Sequence, residues 1–200
     1  MTKVDVPLLV VVTGPPAAGK TAIARAVADR LALPLVAKDA FKELLWERLG
    51  AEDLEASRRL GRTSFDLVFL VVGELLQQGL SVVAEGNFSA AEGFDRLPDA
   101  RVVQLHVTAD VDTLLARYRG RTAERHRAHP DPEYEPEIAA RMWSDDWAPL
   151  DIGGELLELD TTEFPDLATI ADRIALASSA VARNRRDVPG DAPSSGPPGE

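Results

Sequence analysis

Near the start of the chain, Gly14-Pro15-Pro16-Ala17-Ala18-Gly19-Lys20-Thr21 has the residue types and spacing needed to hold a row of phosphates. Glycine at Gly14 and Gly19 allows a tight backbone path, and successive N–H groups at a helix start converge on anionic oxygens. Lys20 supplies a charge for the outer phosphates, and Thr21 a hydroxyl for Mg²⁺. Pro15 and Pro16 have no N–H, so the donors must come from Ala17, Ala18, Gly19, Lys20 and Thr21. From average residue usage, the fixed positions match by chance in roughly one chain of this length in a hundred.

Three further groups carry compatible chemistry. In Lys38-Asp39-Ala40-Phe41-Lys42, Asp39 either takes a proton from an acceptor hydroxyl or caps a helix, and the two roles are compatible. In Val82-Val83-Ala84-Glu85-Gly86-Asn87, an acid closes an apolar strand, the usual place for a carboxylate that holds a Mg²⁺-bound water. Asn87 either binds substrate or shapes the turn. The third group is Arg117, Arg119, Arg121, Arg125 and Arg127, five arginines against the single Glu124. Phosphoryl transfer spreads negative charge over three oxygens, so this stretch reads as a lid whose arginines meet that charge. His126 and His129 lack partners at metal-ligand spacing, so no zinc site is expected. His106 reads as a core histidine, and Trp143 and Trp147, one helical turn apart, as packing residues.

These residues need a frame. Leu8 to Val12 is a continuous β-branched run, as in a parallel strand buried on both faces. After the glycine loop, Ile23, Ala26, Val27 and Leu31 share one helix face. Further strands are expected at Leu35–Ala37, Ser81–Ala84, Val102–Val107 and Leu156–Leu159. Helices are expected from Asp39, as N-cap, to Leu49, from Thr63 to Gln78, from Asp110 to Tyr118, and from Leu167 to Val181. Residues 119–136 are polar, arginine-rich and punctuated by proline, and read as a loop-like lid. Alternating strands and helices predict an α/β three-layer sandwich of the P-loop NTPase kind, with a five-stranded parallel sheet and helices on both faces. The ligand belongs at the carboxyl ends of its strands. One domain is expected over 1–183, followed by a disordered tail over 184–200.

Composition narrows the partners. The 200-residue chain has a net charge of -11, which disfavours a protein that coats nucleic acid. It has no cysteine, which fits a reducing cytoplasmic location. Its N-terminus lacks the pattern of a signal peptide, and no apolar run is long enough for a membrane.

In order along the chain, the motifs resemble a group of P-loop kinases that includes 5′-polynucleotide kinases, zeta-toxin sugar-nucleotide kinases, chloramphenicol phosphotransferases and small AAA-type ATPase/kinases. The resemblance runs from Leu8 to Thr162 and rests on the phosphate loop, the Lys38–Lys42 run and Glu85-Gly86-Asn87. It implies that Asp39 is the general base and that Lys42 contacts a substrate phosphate. It further implies that Arg121, four residues after Arg117, is the lid arginine, and that Asp160-Thr161-Thr162 helps form the adenine pocket. The run Glu124–Pro130 is similar to the lid of the branch without a settled substrate, and residues 50–62 match no recognition motif. The expected activity is transfer of the γ-phosphate of ATP, with Mg²⁺, to a hydroxyl on a small or nucleotide-like acceptor. Lys20, Asp39 and Arg121 would be the catalytic residues, Arg117, Asp160 and Thr161 would join the loop in holding ATP, and Lys42, Asn87 and Arg125 would hold the acceptor. Thr21 and Glu85 would serve the metal. The alternatives are a nucleotide-switch ATPase that binds a protein partner, or a 5′-hydroxyl polynucleotide kinase.

Overall fold

The computed structural model describes residues 6–121, 125–129, 131–144, 146–163, 166–172 and 174. Strand β1 (Leu8–Thr13) is buried along its whole length, and its side chains alternate between two cores. Leu8, Val10 and Val12 enter one, and Leu9 and Val11 the other. That is the pattern of a central strand covered on both faces, where every position is apolar because neither face meets water.

Four more strands complete an all-parallel sheet: β2 (Leu35–Ala37), β3 (Val82–Glu85), β4 (Arg101–Thr108) and β5 (Glu155–Asp160). Their order is β2-β3-β1-β4-β5, with β1 paired to both β3 and β4. The register sets Val12 opposite both Glu85 and Leu105, so the ends of the central strands lie side by side. This is the expected P-loop α/β architecture, in which a break in strand order next to β1 opens a crevice at the strand ends.

Helix α1 (Lys20–Leu31) packs Ile23, Ala24 and Val27 into the first core, and helix α4 (Val111–Gly120) adds Leu114, Leu115 and Tyr118. Helix α3 (Leu54–Gln77) covers the other face with Val68, Val72 and Leu76. An aromatic cluster of Phe65, Phe69, Phe88 and Phe94 closes that core, with ring centroids 5.0–5.9 Å apart. Helix α2 (Lys38–Leu49) follows β2 directly, and helix α5 (Asp131–Trp143) comes between α4 and β5.

Three expectations are corrected. Asp39 is not the cap of α2: Ala37 holds that position in extended conformation, and the helix begins at Lys38. Helix α3 begins nine residues before Thr63, at Leu54, where the Asp53 side chain accepts from the Ala56 N–H at 2.6 Å. This cap makes Thr63–Asp66 mid-helix rather than a start. The lid is not a loop throughout, because α5 begins at Asp131 and runs through Pro136. The closing helix is helical at 167–172 and at 174; residue 173, residues 175–181 and the tail over 184–200 lie outside the described residues. Among the described residues, no helix is long and apolar enough to cross a membrane.

Strand β4 also fastens the segment that follows α5. Its Gln104 amide donates to the Leu150 carbonyl at 2.9 Å and accepts the Leu150 N–H at 2.7 Å. A side chain thereby does the work of a paired strand. Two residues on, the Nε2 of His106 lies 2.7 Å from the Trp147 carbonyl. Trp147 is buried with the Arg141 guanidinium 4.3 Å from its ring centroid, whereas Trp143 is exposed.

Candidate active site

The phosphate loop takes its shape from close approach. At Gly14, φ is +132°, and a Cβ there would stand 2.0 Å from the Val107 carbonyl oxygen of β4. Only glycine fits where the chain turns against that strand. Gly19, at φ +88°, stands immediately before α1, whose first N–H groups have no partners within the helix. Ala17 is also left-handed at φ 68°, a conformation that costs a residue with a Cβ about 1–2 kcal/mol. The sequence between β1 and α1 therefore bends into a cradle at the cost of local strain.

Lys20 bends back over this cradle, its Nζ donating to the Pro15 carbonyl at 2.7 Å. Burial brings its pKa down to about 8, against the pull of the Glu85 and Asp39 carboxylates. Glu85, at the end of β3, is only 5% exposed, and burial raises its pKa while Lys20 draws it back. The Thr21 hydroxyl hydrogen-bonds to Glu85. A buried carboxylate and a hydroxyl side by side at a phosphate cradle form a hard oxygen donor set that suits Mg²⁺ with part of its water shell.

Helix α2 brings the second group. Lys38 donates to Asp39 at 3.1 Å, and Arg125 reaches the other Asp39 oxygen at 3.1 Å. Burial opposes ionisation of Asp39, yet the charges of Lys38 and Arg125 hold its carboxyl well below the usual range. Asp39, Glu43 and Glu47 recur at four-residue spacing, which places them along one helix face. Segment 125–129 lies along that face. Besides the Arg125–Asp39 pair, the Nε2 of His129 lies 3.2 Å from Glu43, and that of His126 3.5 Å from Glu47. Burial lowers the His129 pKa to about 3, so at neutral pH its ring is an uncharged hydrogen-bond partner.

The third group divides. The Arg117 guanidinium donates to the carbonyls of Thr161 and Thr162 at 2.7 and 3.3 Å. The buried Thr161 hydroxyl lies 2.9 Å from both the Ala18 and the Thr108 carbonyls, and so ties the end of β5 to the phosphate loop. Asp160 is exposed, and its carboxylate accepts the Thr162 N–H at 2.8 Å. Arg121 stacks its guanidinium 5.0 Å from the Tyr118 ring centroid and faces the cleft.

A cavity of about 600 Å³ joins these groups. Gly19, Lys20, Thr21, Lys38, Asp39, Lys42, Glu85 and Asn87 all line it. Arg117, Arg121, Arg125 and His129 also face it. Ala18 is buried within the loop, and neither it nor Asp160 nor Thr161 lines the cavity. Sequence reasoning missed Ser57, Arg58 and Gly61 of α3 and Tyr134 of α5, which line the same cavity. The spacing of Ser57, Gly61 and Phe65, four residues apart behind the Asp53 cap, was the signal that could have revealed a helix face there.

A parallel sheet, a glycine cradle at a helix start and a carboxylate closing the neighbouring strand define a P-loop kinase fold. The chain matches the AAA_33 family, an AAA domain, over residues 9–145, and it belongs to that family. A kinase candidate from Chloroflexus aurantiacus J-10-fl shares 35% identity, with a TM-score of 0.79 over 86% of this chain and 99% of that one. The fold also recurs in a gluconokinase from Sinorhizobium meliloti 1021, with TM-score 0.54 and 17% identity over 90% of this chain and 96% of that one. Shikimate kinase from Acinetobacter baumannii gives TM-score 0.52 and 18% identity over the same shares, 90% and 96%. No curated protein matches the chain.

Proposed function

We propose that this protein transfers the γ-phosphate of ATP to a hydroxyl group of a small acceptor. The observation that carries the reading is the single cavity running from the phosphate loop to Asp39. ATP would lay its phosphates on the N–H groups of the loop, with Lys20 turning from the Pro15 carbonyl to the outer phosphates. Thr21 and Glu85 would hold Mg²⁺, which shields phosphate charge and fixes its geometry. Arg117 would flank the adenine side beside Asp160 and Thr161.

On the acceptor side, Asp39 would orient the hydroxyl and receive its proton as the oxygen bonds to phosphorus. Its carboxyl is a weak base while Lys38 and Arg125 hold it. Movement of Arg125 toward the reacting phosphoryl group would strengthen the base and neutralise charge in one motion. Arg121, already facing the cleft, would meet the same charge, while Lys42 and Asn87 would contact the acceptor.

The test is ADP formation by the purified protein with MgATP, with and without hydroxyl compounds. Asp39→Asn should lower kcat about 10²–10⁴-fold and leave the nucleotide Kd within twofold. Arg121→Ala should lower kcat on the order of 10³-fold, again sparing binding. Retained turnover in the Asp39 variant would reduce this carboxylate to a partner of Lys38 and Arg125. ATP loss that no acceptor accelerates would instead support an ATPase.

A further inference from the structure

The part of the cavity wall built by α2, α3 and α5 has a chemical character of its own. Ser57, Arg58, Gly61 and Arg62 lie on one side of α3, Lys42 faces them from α2, and Tyr134 comes from α5. The Lys42 ammonium stands 5.9 Å from the Tyr134 ring centroid, and the Arg58 guanidinium 5.6 Å from it. One aromatic ring therefore gathers two cations from two different helices. The ring is itself pinned, because the Tyr134 hydroxyl donates to the Leu54 carbonyl at 3.1 Å.

Charge is strongly one-sided here. Among the described residues, nine lysines and arginines line the cavity against three carboxylates, in a chain whose net charge is -11. The cations at the phosphate loop have ATP to meet. Lys42 and Arg58 line the same cavity from helices α2 and α3 rather than from the phosphate loop. Arg58 is paired with Glu137 at 2.7 Å, an ion pair whose side chains are 43% and 49% exposed and so remain open to exchange.

Two independent observations point to a bound group. Ser57 is only 3% exposed, lines the cavity, and its hydroxyl has no hydrogen-bond partner among the described residues. A buried hydroxyl without a partner is costly, and a ligand oxygen would satisfy it. Gly61, one helical turn further along α3, has nothing within 4 Å of where a Cβ would stand. Helix-interior glycine costs roughly 1 kcal/mol relative to alanine, and here it leaves open space in the wall.

We propose that this wall is an anion subsite, and that the acceptor is a small hydroxyl compound bearing a carboxylate or a phosphate. The proposal rests on the kinase reading above and names the acceptor class that reading leaves open. Lys42 and Arg58 supply charge-assisted hydrogen bonds to the anion, and Ser57 donates its hydroxyl. Gly61 provides the room for the ligand. Because Asp39 and the phosphate loop line the same cavity, an anion held at this wall leaves the acceptor hydroxyl to reach the carboxylate.

Binding and turnover test this separately. With the phosphate loop filled by a non-hydrolysable ATP analogue and Mg²⁺, inorganic phosphate or malonate should raise the Tm more than chloride of equal ionic strength. The larger shift of the two identifies the anion. Arg58→Gln and Gly61→Leu should each remove the shift, and Gly61→Leu fills space without breaking a contact. Persistence of the shift in both variants, or no shift with either anion, overturns the subsite. In kinetics, matched hydroxy acids, sugar phosphates and neutral polyols are compared. Anionic acceptors should be preferred, and Arg58→Gln should raise their KM on the order of 30-fold with the KM for ATP within twofold. A neutral compound as the best acceptor, or an unchanged acceptor KM, overturns it. Failure of the wild-type protein to bind the ATP analogue would bring down the kinase reading itself.

Discussion

Burial of Lys20 places its proton equilibrium at about pH 8, within reach of ordinary buffers. A bound triphosphate favours the charged ammonium, so the pKa of Lys20 rises in the complex and nucleotide binding takes up a proton wherever the free protein has lost one. The sign follows: affinity for the ATP analogue should be flat below pH 7 and fall as pH rises from about 8 to 10. Calorimetric titration across that range checks it, and Lys20→Met should bind weakly with no such slope. The residues of the phosphate loop were legible in the sequence because glycine, lysine and threonine there have few substitutes. Asp39 was legible as a group in the cleft, but its surroundings were not. That Arg125 and His129, 86 and 90 positions later, face it depends on how segment 125–129 lies on α2, which no local pattern encodes.

At the level of elements, β1 could be read directly because both of its faces are covered and every position is apolar. Helix α3 was half legible. Its C-terminal part repeats Val68, Val72 and Leu76 against the sheet, whereas its first turns present Ser57, Arg58 and Gly61 to a cavity and so lack an apolar stripe. Helix α5 was hidden by Pro136 and by charged residues that pair across to other elements, as Arg119 does with Glu135 at 2.7 Å. The Gln104 amide is another tertiary feature, since it completes both backbone bonds of Leu150. Gln104→Met preserves the volume but leaves a buried donor and acceptor unmet. Denaturant unfolding should show a loss of about 2–4 kcal/mol, with nucleotide affinity in the folded protein unchanged.

Across the whole molecule, charge is segregated: an acidic chain concentrates its cations around one crevice at the carboxyl edge of the sheet. Such a distribution draws anionic ligands toward the crevice while the remaining surface repels polyanions. The tie between Thr161 and the phosphate loop extends from that crevice to the edge strand. Thr161 is joined at once to Ala18, to Thr108 and to Arg117, and its amide donates to the Thr108 carbonyl at 2.8 Å. Stiffening of the loop by a ligand should therefore be felt at the C-terminal edge of the sheet. Deuterium should replace hydrogen at the Thr161 amide more slowly once nucleotide fills the loop, although that amide belongs to the loop after β5. Exchange that is unchanged at Thr161 but slowed at Lys20 would show the two to be uncoupled. A slowed Thr161 would give a spectroscopic clock for occupancy that needs neither turnover nor a known acceptor.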